Sequence, residues 1–174
     1  MFRFHLNRQF KDKTIVILGN NPSIIGGKLG NKIDKYQLVM RVNLFQNDGF
    51  YQDLGTKTDL RFIGATLTSE HDKILAVMPR DEYIITTSKN KNKLTEYNIS
   101  YISIPRKTPT FTFRFIREVC KDLEINNYPS KPPRSGIVIL TLLLRFSNIK
   151  NITVYGFSTV IEDTMDSMLA TGND

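Results

Sequence analysis

Apolar and polar positions follow two alternating rhythms along this chain. Thr14-Ile15-Val16-Ile17-Leu18 is a short β-branched run that stops at Gly19. With no polar interruption, it predicts a strand buried on both faces, as in a parallel sheet. Gln37 to Val42, Asp59 to Ile63, Glu82 to Thr87, Ser100 to Ile104 and Asn151 to Tyr155 predict similar strands. Helical spacing lies between them. Ser69 is expected to cap a helix through Met78, with Ile74, Leu75 and Met78 on one face. Thr112 to Leu123 carries Phe113, Ile116, Val119, Cys120 and Leu123 at the same period. Ser135 is expected to cap a strongly apolar helix through Phe146. Strands that alternate with helices imply an α/β domain with a mostly parallel sheet flanked by helices. Gln46 to Lys57 and Asn126 to Arg134 read as mobile loops. The basic cluster Lys89 to Lys93 reads as a solvated helix start.

Composition narrows the picture. A chain of 174 residues corresponds to one domain, and 40% hydrophobic residues are enough to build a core. Lys and Arg number 24 against 17 Asp and Glu, a net charge of +7 that implies an anionic partner. The candidates are nucleic acid, an anionic membrane face or a phosphorylated ligand. The basic residues are scattered and no nucleic-acid motif is present, which argues against nucleic acid. The single Cys120 excludes an internal disulfide and a cysteine-built zinc site. The longest apolar run, Ile137 to Leu144, is far shorter than the ~18 residues a membrane helix needs. The lead-in Met1 to Leu6 has no signal-peptide pattern, and its Phe and Arg residues suit at most weak contact with an anionic membrane surface. The expectation is a soluble, cytoplasmic chain in a reducing compartment.

Four segments carry candidate chemistry. Gly19-Asn20-Asn21-Pro22-Ser23 follows the first strand, where ligands sit in a doubly wound sheet. Its N–H groups and short polar side chains suit a phosphate, a ribose or a base edge. The following glycines at 26, 27 and 30 fit neither G-x-G-x-x-G nor a Walker loop, so an ordinary strand-to-helix turn is the alternative. In Val39-Met40-Arg41-Val42-Asn43, alternation puts Arg41 and Asn43 on one face, and taken alone this segment reads as a polar strand end. Arg134-Ser135-Gly136 opens the apolar helix, and a helix N-terminus can hold an anion with Arg134 beside it. A capped core helix without a ligand is the alternative there. Asn151 to Phe157 ends in Tyr-Gly-Phe, where glycine permits close approach.

Together these segments resemble the animal-type sialyltransferases that use CMP-sialic acid as donor. Gly19-Asn20, the spacer Gly30-Asn31-Lys32-Ile33-Asp34, Val39 to Asn43 and Asp53 to Thr58 are similar to that family's large sialylmotif. Pro133-Arg134-Ser135-Gly136, the apolar helix and Val154-Tyr155-Gly156-Phe157 are similar to the small one. Asn21-Pro22-Ser23 leans toward a separate bacterial family. The resemblance implies a Rossmann-like, sialyltransferase-type domain over residues 1–174 that lacks the family's C-terminal motifs. It implies a CMP-sugar donor, a glycan acceptor, and no metal or other cofactor. It implies donor binding by Gly19, Asn20, Asn21, Ser23, Asn43, Arg134, Ser135 and Gly136. A CMP-binding relative without turnover is the alternative.

Three departures stand out. Ile15 takes the place of the family's motif-bridging cysteine, which favours a reducing, bacterial setting. Arg134 replaces a small hydroxyl residue. The 17 residues after Phe157 contain no histidine to act as general base, and the catalytic residue is left unassigned. Of the two histidines, His5 lies in the lead-in and His71 is expected at an exposed helix start.

Overall fold

The computed structural model describes residues 8, 10–44, 49–104, 114 and 134–157. All six expected strands are present: β1 (Thr14–Leu18), β2 (Leu38–Val42), β3 (Leu60–Ile63), β4 (Tyr83–Thr86), β5 (Tyr101–Ser103) and β6 (Asn151–Tyr155). They form one sheet in the order β5-β4-β3-β2-β1-β6, and every pairing is parallel. The chain steps from β1 outward to β5, then returns to lay β6 on the other side of β1. The carboxyl end of the β1–β6 boundary is therefore the switch point, where such sheets open a crevice.

Residue alternation explains why β1 tolerates no polar position. Ile15 and Ile17 face the helix α5 (Ser135–Phe146), joining Met40, Val42, Leu60, Phe62, Val138, Ile139, Leu142 and Leu143 in one core. Val16 and Leu18 face the other way, packing with Ile24, Ile33 of α1 (Gly30–Ile33) and Leu54 of α2 (Tyr51–Leu54). A third cluster puts Ile63 and Ile84 against Leu75 of α3 (Asp72–Val77) and Leu94 of α4 (Lys91–Glu96). Both faces of the sheet are thus covered, as the largely apolar strands require. Each fully buried aliphatic side chain contributes about 1.5–3 kcal/mol, so α5 is held mainly by its four buried aliphatic residues.

Local details depart from the sequence reading. Ser69 is not a cap: it opens a short 3-10 turn, and Thr68 forms the capping box with His71. The Thr68 N–H donates to His71 Nδ1 at 3.1 Å, which draws the expected exposed histidine into a half-buried position. The basic cluster is not uniformly solvated. Asn90 is fully buried, accepting from Leu67 N at 2.9 Å and donating to Ala65 O at 2.8 Å, which ties the loop after β3 to α4. Within Gln46 to Lys57, the described part from residue 49 onward is anchored rather than loose. Asp34 accepts from the N–H groups of Thr56 and Lys57 at 3.0 Å, and Asp53 accepts from Lys28 N at 2.8 Å. Of the helix expected over 112–123 only Arg114 is described, and it is helical; the loop before Arg134 lies outside the described residues. Among the described residues, no helix is long and apolar enough to cross a membrane.

Candidate functional site

The four segments meet at the carboxyl end of the sheet. Gly19 N donates to Tyr155 O at 2.8 Å, and Asn21 N donates to Gly156 O at 2.9 Å, so the loop after β1 is laced to the end of β6. A Cβ on Gly19 would land on the Gly156 carbonyl oxygen and lie 3.0 Å from the Phe157 ring. Glycine is needed here because two backbones touch. A Cβ on Gly136, in the first turn of α5, would strike the same Phe157 ring. Phe157 thus sits between the β1 loop and the helix start. On the other side, Ser135 packs its side chain against Gly64, just past the end of β3.

Asn43, one residue past β2, joins these two halves. Its φ of 60° lies in the left-handed region, which Asn tolerates better than most residues. The conformation is held on three sides. Asn43 N donates to Phe62 O at 2.7 Å. Its Oδ1 accepts from Gly64 N at 3.1 Å and Ala65 N at 3.2 Å. Its carbonyl accepts from Arg61 Nη1 at 2.8 Å. Asn43, Gly64 and Ser135 therefore lie together at the carboxyl end of the sheet, and Gly19, Phe157 and Gly136 form a second group beside the start of α5.

The remaining expected site residues lie on the loop after β1 and at the start of α5. Asn20, Ser23 and Arg134 are exposed. Asn21 Oδ1 accepts from Ser23 N at 2.9 Å and caps the short 3-10 turn Pro22–Ile24. This fixes the loop's shape and leaves Asn20 at its outer corner. Ser135 is not an N-cap. Arg134 occupies the cap position without a side-chain cap bond, and Ser135 is the first helical residue, its side chain turned to Gly64 instead. Ile137 N is already bonded to Arg134 O at 3.0 Å, so the N–H groups of Ser135 and Gly136 precede the helix ladder and suit an anion.

Arg41 does not share the site with Asn43, although the alternation placed both on one face. It is 2% exposed and lies under the loop before β3. It donates to Thr58 Oγ1 at 2.8 Å and to the carbonyls of Leu54, Gly55 and Lys57 at 2.9, 3.2 and 3.1 Å. Burial, with Arg61 nearby, pulls its pKa down to about 10. Next to it, Arg61 Nε donates to Glu82 Oε1 at 2.8 Å in a nearly buried ion pair. Burial pushes the Glu82 carboxyl above its ordinary range, against the pull of Arg61. Asp34 moves the other way. Its partial burial is outweighed by the Thr56 and Lys57 N–H groups, which hold its carboxyl below the usual range.

Gly64, Arg61 and Glu82 lie outside the four segments that the sequence marks. The Tyr-Gly-Phe ending marked Phe157, but its role as the wedge between two segments more than a hundred residues apart needs the fold. Among the described residues, no group of three or more His, Cys, Asp or Glu side chains is placed to hold a metal ion.

With this geometry in hand, comparison with known proteins is informative. The family profile for glycosyltransferase family 29 (sialyltransferase) matches residues 5–168. Beta-galactoside alpha-2,6-sialyltransferase 1 of Mus musculus is 26% identical over 150 residues, covering 72% of this chain and 37% of the mouse protein. Beta-galactoside alpha-2,6-sialyltransferase 2 of Homo sapiens is 25% identical over 172 residues, covering 87% of this chain and 32% of the human protein. The chain thus spans about a third of the length of these curated relatives. A crystal structure of a mammalian sialyltransferase in complex with Gal-beta-1-3GalNAc-ortho-nitrophenol superposes with a TM-score of 0.58 at 16% identity. It covers 87% of this chain and 57% of that one, and shares the fold. The sheet order, the motif residues gathered at its carboxyl end and a profile match across nearly the whole sequence agree: this chain belongs to glycosyltransferase family 29, the sialyltransferases.

Proposed function

We propose that the crevice at the carboxyl ends of β1, β2 and β6 binds the CMP half of a CMP-sialic acid donor, and that the chain serves transfer of sialic acid to a glycan hydroxyl. The observation that carries this reading is the convergence on Phe157 and Gly64. The β1 loop, Asn43 and the α5 N-terminus come from three distant stretches of sequence and meet at one end of the sheet. Each offers hydrogen-bond donors rather than carboxylates. The amide nitrogens of Asn20 and Asn43 and the N–H groups of Ser135 and Gly136 suit a nucleotide's phosphate and sugar oxygens, and the helix dipole adds positive potential. Exposed Arg134 stands at the same helix end and suits the phosphate charge.

In the transfer, the acceptor oxygen bonds to the anomeric carbon of sialic acid as the bond to the phosphate oxygen breaks. CMP leaves, and the hydroxyl proton passes to a base. The pocket's part is to stabilise the charge that develops on the departing phosphate, which preorganised N–H donors do without reorganising.

The test is calorimetric titration of the purified chain with CMP and with CMP-sialic acid, with CMP release and transfer assayed separately. Binding of both nucleotides, weakened in Asn43→Ala and in Ser135→Ala, is the expected result. No binding at millimolar CMP by folded protein would refute the reading. A preference for another nucleoside monophosphate would do so too.

A further inference from the structure

We infer that the buried Arg61–Glu82 pair is a positioning device for Asn43, fixing its carboxamide as a one-directional hydrogen-bond donor toward an oxygen of the donor nucleotide. The inference rests on the CMP-binding reading above.

Asn43 has one polar group left to offer a ligand. Its N–H, its carbonyl and its side-chain Oδ1 are all bonded within the protein. Nδ2 has no partner among the described residues, and it can only donate. With Oδ1 clamped by Gly64 and Ala65, the amide cannot flip to present an acceptor. Asn43 therefore selects for an acceptor oxygen, as on a phosphate or ribose.

This state is not self-sustaining. A non-glycine residue at φ 60° relies on its surroundings. Phe62 holds the nitrogen side of Asn43, and Arg61 Nη1 holds the carbonyl side. Arg61 in turn is aimed by Glu82 through its Nε. The guanidinium thus spans from Glu82, just before β4, to the end of β2. Its planar fork fixes both directions at once, which a lysine cannot do.

The pair itself is poorly explained as a stabilising contact. Two buried ions lose hydration, and an apolar pair of the same volume is often at least as stable. Glu82 Oε2 has no hydrogen-bond partner among the described residues although it is buried. Arg41 faces Arg61 across β2 and β3 in register, and crowds like charge into the same layer. What the arrangement delivers is the bond to Asn43.

The test uses the full chain with Arg61→Lys, Glu82→Gln, Asn43→Ala and the double variant Arg61→Lys/Asn43→Ala. Two readouts are taken. Amide hydrogen exchange reports the clamp: in Arg61→Lys, Gly64 and Ala65 should lose protection by about tenfold or more, as expected when a hydrogen bond involving a charged group is lost, while Ile85 in β4 keeps its rate. CMP titration reports the consequence: Arg61→Lys and Asn43→Ala should each weaken binding by about tenfold, and the double variant should be no weaker than Asn43→Ala alone. Losses that add would overturn the inference, because Arg61 would then act independently of Asn43. Unchanged exchange at Gly64 and Ala65 in Arg61→Lys would also overturn it. If Arg61→Lys does not fold, Glu82→Gln, which keeps the guanidinium and the packing, carries the same two readouts with smaller losses in the same direction. Failure of wild type to bind CMP would overturn the ligand role together with the nucleotide reading, and the exchange pattern alone would then decide whether the pair holds Asn43.

Discussion

Gly19→Ala is the sharpest probe of the junction between β1 and β6. The new Cβ would lie on the Gly156 carbonyl oxygen, closer than non-bonded atoms approach, and only 3.1 Å from the carbonyl carbon. The obstacle is backbone, so no side-chain rotation relieves it. The two segments must separate, and the bonds Gly19 N to Tyr155 O and Asn21 N to Gly156 O, now 2.8 and 2.9 Å, must lengthen or break. Two hydrogen bonds at about 1 kcal/mol each, plus overpacking of about 1–3 kcal/mol, give a loss of roughly 3–5 kcal/mol. In a domain of this size that lowers Tm by roughly 6–20 °C. Gly136→Ala is the built-in comparison. Its Cβ meets a ring rather than a backbone, and alanine favours the helix by up to about 1 kcal/mol, so a loss of only about 1–2 kcal/mol is expected. Urea unfolding of both variants measures the difference. If Gly19→Ala costs less than about 1 kcal/mol, or no more than Gly136→Ala, the junction is not the tight contact described here. CMP affinity should fall in both variants.

Three further outcomes follow from the geometry. Arg41→Met should lower stability by about 3–5 kcal/mol in urea unfolding, because it strands the carbonyls of Leu54, Gly55 and Lys57; a loss below about 1 kcal/mol would show that the loop does not need this anchor. Asp34→Asn should destabilise by about 1–3 kcal/mol at neutral pH. The Asp34 carboxyl is held below 3.8 in the fold, so its contribution is complete above that value and lost as pH falls through the lower folded pKa; wild type and variant should therefore converge in acid, and a constant gap would contradict the assignment. Ser135→Ala should cost less than the ~1 kcal/mol of a true N-cap while still weakening CMP binding, as read by paired urea and calorimetric titrations.

The sequence by itself determined the sheet. Runs such as Ile15 to Leu18 and Leu38 to Met40 are apolar without alternation because both of their faces are covered, and that pattern is local. The ends of β1, β2 and β6 were legible for the same reason, since Gly19, Asn43 and Gly156 interrupt those runs. The motif residues then indicated which loops belong together.

Tertiary structure alone decided how each polar residue is spent. Alternation placed Arg41 and Asn43 alike, yet one is a buried anchor for carbonyls 13 to 16 residues further on and the other holds the backbone of Gly64 and Ala65 beyond β3. Ser135 carried the signature of a cap, but contact with Gly64 turned it to another task. Asn90 sat in a basic, hydrophilic stretch and is fully buried, because Leu67, Ala65 and Thr86 together satisfy its amide. In each case the partner lies on a different element. A polar side chain is buried only where hydrogen-bond partners meet it, and that meeting is set by how the loops fold over the strand ends, which no local pattern encodes.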